Sequence, residues 1–200
     1  MGSGDVYKRQ TTGMAGKQND ISSESALELL KHGNARYVAD LAGRPNATHR
    51  RRLETGGGQW PFAIVLTCAD SRVAPEMIFD QGIGDIFVAR VAGNVASSEV
   101  IGSIQYAVNF IRTELIVVLG HESCGAVGAA ITPPAGAPKE LGNLVGQIKK
   151  VIKSEKNLQR AVEKNAKAQA TLLRKKLKGC EKHKVVAATY GLRCGEVDWL

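Results

Sequence analysis

The stretch "FAIVLTCADSR", residues 62–72, combines two features that decide how the chain folds. It begins with a continuous apolar run of strand length, and then carries a thiol, a carboxylate and a guanidinium at alternate positions, Cys68, Asp70 and Arg72. A strand that is apolar on both faces suits a parallel sheet covered by helices on both sides. In such a sheet, functional groups gather beyond the carboxyl ends of the strands, which is where these three polar groups lie.

Other segments of the chain repeat this strand pattern and alternate with helical patterns. A βα alternation of this kind predicts an α/β fold, with a central mostly parallel β-sheet flanked by helices. The strand-like runs are "DIFVAR" at 85–90, "ELIVVLG" at 114–120, and "KVVAATYGL" at 184–192 with an edge hairpin formed by "GEVDWL" at 195–200. Helical patterns cover 21–40, 97–112 and about 125–131, and one or two long helices cover 139–178.

Two N-terminal segments are predicted to lack regular structure. Residues 44–61 are interpreted as a loop-rich connection, because the three glycines at its end disfavour helix and strand. Residues 1–18 are set aside as artefactual or disordered, since "MGSG" resembles a cloning remnant and "DVYKRQ" a translated sequencing adapter. This leaves residues 19–200 as one predicted domain. No signal peptide is visible, so we expect a cytoplasmic protein, or a periplasmic one if a leader has been lost.

Composition favours a globular domain without a membrane or nucleic-acid partner. The 200 residues are 44% hydrophobic and 23% charged, which is ordinary globular usage, and the longest apolar runs are too short to cross a bilayer. The net charge of +8 arises largely from basic residues dispersed among acidic ones in 153–179, a pattern typical of a solvated helix face. The basic cluster "HRRR" at 49–52 has no nearby aromatic ladder, so we interpret it as a solvated turn or an interface arm.

A second polar motif, "GHESCG" at 120–125, follows the strand pattern of "ELIVVL". His121 and Cys124 are three residues apart at the start of a helix, so both side chains can face Cys68 across the sheet edge. Two thiolates and one imidazole form a three-ligand set for Zn²⁺ and leave a fourth position for water. A closed structural site would need a fourth ligand, for which Asp70 is the candidate near enough. Taken singly, each cysteine or histidine is more often a structural residue.

"CADSR" followed about fifty residues later by "HESCG" resembles the paired signature of the β-class carbonic anhydrases. The resemblance runs from about residue 21 to the C-terminus and includes "QWPFAIVLTCADSRVAPE", "FVARVAGN" and "ATYGLRCGEVDWL". It implies a β-carbonic anhydrase domain with an N-terminal helical arm, and a sheet of about four parallel strands plus an antiparallel edge strand. It also implies a homodimer or dimer-based oligomer in which the helical arm grips the neighbour.

The resemblance also implies the chemistry of the site. Zn²⁺ is expected on Cys68, His121 and Cys124, and the reaction is the reversible hydration of carbon dioxide to bicarbonate and a proton by zinc-bound hydroxide. Asp70 and Arg72 correspond to a catalytic dyad. Their ion pair would keep the carboxylate off the metal, orient the nucleophile and leave the fourth position open.

Further positions are expected to contact CO₂ or bicarbonate by the same resemblance. Gln59 would reach the site from the dimer partner, and the backbone amide of Gly125 would meet the substrate. Phe87, Val91 and Tyr106 match apolar cleft positions, although plain core packing explains them equally well.

Some similar enzymes bind bicarbonate at a regulatory site built from Trp, Arg and Tyr. Arg90 and Tyr190 match two of these positions, but Val65 stands where the Trp would be, which favours the open form. Cys180 and Cys194 lie outside both motifs and are interpreted as reduced, incidental thiols.

Three other functions remain open. The same zinc fold could hydrolyse carbon disulfide or carbonyl sulfide. The chain could also be a non-catalytic zinc or bicarbonate-sensing module with Asp70 closing the metal. A thiol redox protein is the weakest of the three, because no C-x-x-C motif is present.

Overall fold

A computed structural model describes residues 21–177 and 183–200, and its centre is a five-stranded sheet with strand order β2-β1-β3-β4-β5. The first four strands are parallel and β5 is antiparallel to β4, which confirms the predicted α/β class and the antiparallel edge strand. The predicted N-terminal segment 1–18 and Cys180 lie outside the described residues. The strands are β1 Ala63–Thr67, β2 Ile86–Arg90, β3 Leu115–His121, β4 Lys184–Tyr190 and β5 Val197–Trp199.

Seven α-helices are described in residues 21–177, and five of them fall close to the helical patterns of the sequence. The sequence did not indicate the two short helices at His49–Thr55 and Pro75–Ile78. A 3₁₀ turn at Ala92–Asn94 follows β2, and a π-helical turn at Ala107–Ile111 extends the fourth helix. Within the described ranges, no helix combines the length and the apolar content needed to cross a bilayer. The helices are α1 Ser23–Val38, α2 His49–Thr55, α3 Pro75–Ile78, α4 Ser98–Tyr106, α5 Gly125–Ile131, α6 Lys139–Ile152 and α7 Leu158–Lys176.

The interpretation of 44–61 as irregular is wrong, because α2 lies within it. Thr48 caps this helix: its Oγ1 accepts the N–H of Arg51 at 3.1 Å, a contact that satisfies one of the unpaired donors of the first turn. Arg51 also donates to Asp85 at 2.9 Å and thereby ties the helix to the start of β2. The glycines at 56–58 end the helix, but they do not prevent regular structure in the residues before them. The cluster "HRRR" lies on this helix and not in a turn.

Two apolar layers cover the sheet. Every residue of β1 and β3 is buried, which explains why both strands are continuously apolar. On one face, side chains of α4 and α7 complete a core with Ile64 and Ile116. On the other face, α1 and β5 pack against Val65 and Val117. A third cluster joins α5, α6 and α7 around the carboxyl ends of β1 and β3, so that edge of the sheet is enclosed by helices.

Helix α1 is attached to the body of the same chain by a close contact and by polar bonds. Gly33 lies so near the Phe79 carbonyl that a Cβ built there would be 1.8 Å from the oxygen. Asn34 donates to the carbonyls of Ile78 and Gly195 at 3.1 and 2.8 Å. The outer face of α1 and the turn after it expose apolar side chains, including Leu29, Val38 and Leu41. The expectation that this arm grips a neighbouring subunit stays a prediction.

Candidate metal centre

The sheet topology brings Cys68, His121 and Cys124 together. Strands β1 and β3 are parallel neighbours with Thr67 opposite Leu119, so the residues that follow them emerge side by side. Cys68 comes directly after β1, His121 is the last residue of β3, and Cys124 caps α5. The three possible ligand atoms lie within 4.8 Å of one another, and all three residues are buried.

The spacing of the two thiols fits a bound cation. Their sulfurs are 4.0 Å apart, close to the about 3.8 Å that tetrahedral zinc–sulfur bonds of about 2.3 Å impose. The Cys124 thiol, with smaller contributions from His121 and the Gly93 N–H, lowers the pKa of Cys68 to about 4 against the effect of burial. The hydrogen bond with Cys68, together with burial, raises the pKa of Cys124. Two thiolates at this distance repel each other, and a cation bound between them would stabilise both in the ionised form.

His121 is oriented as a metal ligand. Its Nδ1 lies 2.8 Å from the carbonyl oxygen of Glu122, and because a carbonyl can only accept, Nδ1 carries the proton and donates it. In the neutral ring, Nε2 then carries the lone pair that a metal ion can accept. This atom is buried without a hydrogen-bond partner, as expected of an acceptor whose natural partner is a metal ion. The donor set of two sulfurs and one imidazole nitrogen thus fits zinc.

Asp70 and Arg72 form the ion pair expected from the sequence. The guanidinium donates to both carboxylate oxygens, from Nε to Oδ1 at 2.9 Å and from an Nη to Oδ2 at 2.8 Å, and the backbone N–H of Arg72 also donates to Oδ1. These bonds hold the pKa of Asp70 well below its usual range. Oδ2 lies 3.8 Å from Nε2 of His121, so an ionised carboxylate borders the metal cluster.

Gly93 and Arg90 hold the turn that carries Cys68, a role that the two motifs did not indicate. The N–H of Gly93 donates to the Cys68 sulfur at 3.2 Å. Arg90 donates to the carbonyls of Cys68 and Asp70 at 3.1 and 2.7 Å. The only sequence signal for this role was the position of both residues at or just after the carboxyl end of β2, beside the end of β1.

The residues expected at the substrate lie in different surroundings. Gln59 is half-buried in the loop between α2 and β1, and Gly125 is the first residue of α5, directly after the third ligand. Phe87, Val91 and Tyr106 are partly buried and pack against the core on the α4 and α7 side of the sheet. Of these three, Val91 also packs against the cluster that contains both ligand cysteines. Their roles toward substrate stay predictions.

The positions compared with the regulatory bicarbonate site are engaged in internal contacts. Val65 is fully buried in β1, and Arg90 is bound to the turn after that strand. The hydroxyl of Tyr190 lies 3.2 Å from that of Tyr37. Cys194 is an exposed free thiol near the C-terminus, distant in sequence from both motifs.

Fold and site together define an α/β protein with a Cys₂His cluster, able to hold a metal ion, at the carboxyl edge of its parallel sheet. A family model described as carbonic anhydrase matches residues 63–197, which include all three candidate ligands. The chain belongs to this family, in its β class.

Curated relatives agree with this assignment over part of their length. The chain is 53% identical over 107 residues to carbonic anhydrase 2 of Mycobacterium tuberculosis, and 51% identical over 108 residues to a carbonic anhydrase of Mycolicibacterium smegmatis. Both alignments cover 54% of this chain and 52% of the relative. The chain thus matches about half the length of these relatives.

Solved structures share the fold over most of both chains. The β-carbonic anhydrase of Coccomyxa, solved in complex with acetazolamide, superposes with a TM-score of 0.67 at 23% identity and covers 87% of this chain and 86% of its own. A tetrameric β-carbonic anhydrase of Sordaria macrospora superposes with a TM-score of 0.67 at 21% identity, and the match covers 84% of this chain and 93% of its own. At these identities the likeness concerns the fold.

Proposed function

We propose that this protein catalyses the reversible hydration of carbon dioxide to bicarbonate and a proton with one zinc ion per chain. The observation that carries this proposal is the Cys68, His121 and Cys124 cluster beside the ion pair of Asp70 and Arg72, in a chain of the carbonic anhydrase family. The names of the curated relatives support the same activity.

Two of the three ligands are held in place for zinc by their own surroundings. The imidazole of His121 is fixed by Glu122, and the sulfur of Cys68 by the N–H of Gly93. Zinc bound here would lower the pKa of a water molecule and so supply the nucleophile near neutral pH. Three protein ligands leave a tetrahedral ion one position for that water.

Asp70 serves as the acceptor that orients the nucleophile. Because Arg72 holds both carboxylate oxygens, the group stays ionised and is kept from binding the metal. An ionised Oδ2 facing the cluster can accept one hydrogen bond from the attacking oxygen and so fix its lone pair toward CO₂. Arg72 thereby keeps the fourth position of the metal open to water.

We propose that the enzyme is a homodimer or an assembly of dimers in which Gln59 completes the neighbour's site. The tetrameric relative from Sordaria macrospora supports assembly, as do the apolar side chains exposed on the outer face of α1 and just after it. Because the site requires reduced thiols, we place the protein in a reducing compartment such as the cytoplasm.

A stopped-flow assay of CO₂ hydration on zinc-loaded protein tests this proposal, with carbon disulfide as the control substrate. We expect acid release from CO₂ alone, abolished by a strong chelator and restored by zinc. Cys68→Ser should weaken zinc binding by more than the about 10–100-fold that outer-shell changes cost. Cys194→Ser, which alters an exposed thiol outside the cluster, should keep both zinc and activity. Full zinc content in Cys68→Ser would refute the ligand assignment.

A further inference from the structure

A chain of buried hydrogen bonds runs from helix α7 to the metal cluster. Oε1 of Gln169 accepts the N–H of Ala96 at 3.0 Å, and its Nε2 donates to Oδ1 of Asn165 at 3.0 Å. Nδ2 of Asn165 donates to the carbonyl of Gly93 at 2.8 Å. The N–H of Gly93 then donates to the sulfur of Cys68 at 3.2 Å. Two side-chain amides thus connect a helix of the scaffold to a metal-ligating thiol.

The two amides have one possible orientation. Asn165 and Gln169 are four residues apart on the inner face of α7, and they are 0% and 3% exposed. A buried amide needs partners for both its oxygen and its nitrogen. If Asn165 were turned over, its oxygen would face the oxygen of Gly93, and its nitrogen would face the nitrogen of Gln169. The donor and the acceptor of each hydrogen bond in this series are therefore fixed.

Gly93 is held from the opposite side by packing. Its φ of +69° lies in the left-handed region, and a Cβ added there would be 2.5 Å from Ile148 of α6 and 3.2 Å from Ala126 of α5. A larger residue is thus excluded both by backbone conformation and by space. Packing thus confines the backbone at Gly93, and the bond from Asn165 fixes the carbonyl of the same residue.

We propose that Asn165 and Gln169 are positioning residues that hold the N–H of Gly93 on the Cys68 thiolate. This inference rests on the proposed zinc site. A hydrogen bond to a ligating thiolate stabilises its negative charge and reduces the charge that it donates to the metal. With two thiolates on one ion, this bond keeps the metal more electrophilic than the ligand set alone would. The amides also hold the sulfur in place before the metal binds.

Cobalt substitution reports on the sulfur directly, because the sulfur-to-cobalt charge-transfer band follows the electron density of the thiolate. Asn165→Leu removes the amide and keeps the number and branching of the side-chain heavy atoms. We expect its band to move to longer wavelength and its zinc affinity to fall by about tenfold, the lower end for outer-shell changes. The matched control is Asn34→Leu, which removes a buried amide that holds backbone carbonyls far from the cluster. It should lose thermal stability to a similar degree and keep the band unchanged.

Gln169→Met gives a milder test, since it leaves Asn165 in place but removes the partner that orients it. Its band should shift in the same direction by a smaller amount, and this variant decides the matter if Asn165→Leu does not fold. An unmoved band in the folded variant overturns the positioning role while leaving the zinc site intact. Absence of a sulfur-to-cobalt band in the unmodified protein would instead refute the proposed metal site itself.

Discussion

Arg72 is the single residue whose contacts bear most directly on the proposed chemistry. Its guanidinium occupies both oxygens of Asp70, although it is itself 54% exposed. A planar guanidinium that donates to both oxygens of a carboxylate fixes the orientation of that carboxylate and favours its ionised form. The carboxylate that it holds already lies 3.8 Å from Nε2 of His121. If zinc binds as proposed, loss of the guanidinium would free Asp70 to approach the metal.

We expect Arg72→Ala to lose at least about 100-fold in CO₂ hydration, the lower range for a positioned proton acceptor, while its zinc content remains about one ion per chain. Stopped-flow assays and metal analysis of the same sample measure both quantities. Arg50→Ala is the control, because Arg50 lies on α2 in an exposed pair with Glu54. A near-normal rate in Arg72→Ala would contradict the gating role of the ion pair.

The Cys₂His cluster and the pair of Asp70 and Arg72 could be predicted from the sequence, because thiols, imidazoles and paired charges are rare enough to stand out. The sequence did not reveal Gly93 as a donor to Cys68, since its contribution is a backbone N–H that every residue except proline possesses. The role of Arg90 as a brace for the Cys68 turn was hidden for a related reason. Its partners are carbonyl groups, which have no signature in the amino-acid sequence.

At the scale of elements, helix α1 is tied to the body by the carboxylate of Asp80. This buried group accepts from Arg36 at 2.6 Å and from the N–H groups of Arg44 and Gly43 at 2.8 and 3.1 Å. Burial alone would raise the pKa of Asp80, but these bonds outweigh burial and hold it below its usual value. Because the folded pKa is depressed, the stabilisation is present above about pH 4 and is lost as the pH falls through the folded value.

We expect Asp80→Asn to lower the free energy of unfolding near neutral pH by about 1–3 kcal/mol, since a charged acceptor with three donors is replaced by a neutral one. Asparagine tolerates the positive φ of this position. The difference from the unmodified protein should shrink between pH 5 and pH 3. Denaturant unfolding across this range is the measurement, with Glu28→Gln on the exposed face of α1 as the control. A difference that does not change with pH would contradict this account.

Gly33→Ala tests the close approach of the same helix. The added methyl would overlap the carbonyl of Phe79, and we expect a loss of about 1–3 kcal/mol, the usual cost of overpacking. Gly146→Ala in α6 is the matched control, because nothing lies within 4 Å of its added Cβ. That variant should gain about 0.5–1 kcal/mol from reduced chain entropy. Similar unfolding midpoints for the two variants would show that α1 can shift without cost.

Strands and long helices could be predicted because their apolar periodicity extends over many residues. Helix α2 could not, since it is short, has no buried residue and is followed directly by glycines. It is stabilised by one cap and by an ion pair with Asp85, 34 residues further along the chain. A contact between such distant residues leaves no local pattern. The same holds for the π-helical turn at Ala107–Ile111, whose neighbours belong to other elements.

At the scale of the whole molecule, the proposed reach of Gln59 into a neighbour's site has a testable consequence. Gln59→Ala alone should keep its zinc and lose about tenfold in kcat/KM, as expected for one lost hydrogen bond to a charged substrate. Gln159→Ala, an exposed glutamine on α7, should change neither quantity. Light scattering of the unmodified protein should give a mass that is an even multiple of one chain.

Mixing the two impaired variants Gln59→Ala and Arg72→Ala then decides whose site Gln59 serves. In a dimer of one Gln59→Ala and one Arg72→Ala subunit, one site keeps both an intact Arg72 and the partner's Gln59. Random exchange between two-fold dimers should therefore restore about a quarter of the sites. If Gln59 acted within its own chain, mixing would restore none, and the mixed sample would average the two variants.

The order of the strands in the sheet also bears on the stage of folding at which the proposed zinc ion can bind. Cys68 and Cys124 are 56 residues apart in the chain, and β2 and α4 intervene between the strands that present them. Bringing such distant segments together is the slow step in folding of this kind of topology. We expect the cluster to form only when β1 and β3 pair, so zinc should bind after the sheet has formed and should not nucleate folding. We expect the rate of zinc uptake during refolding to stop increasing at high zinc concentration. Formation of the sheet would then limit the rate, and the bound ion would stabilise the pairing of β1 and β3.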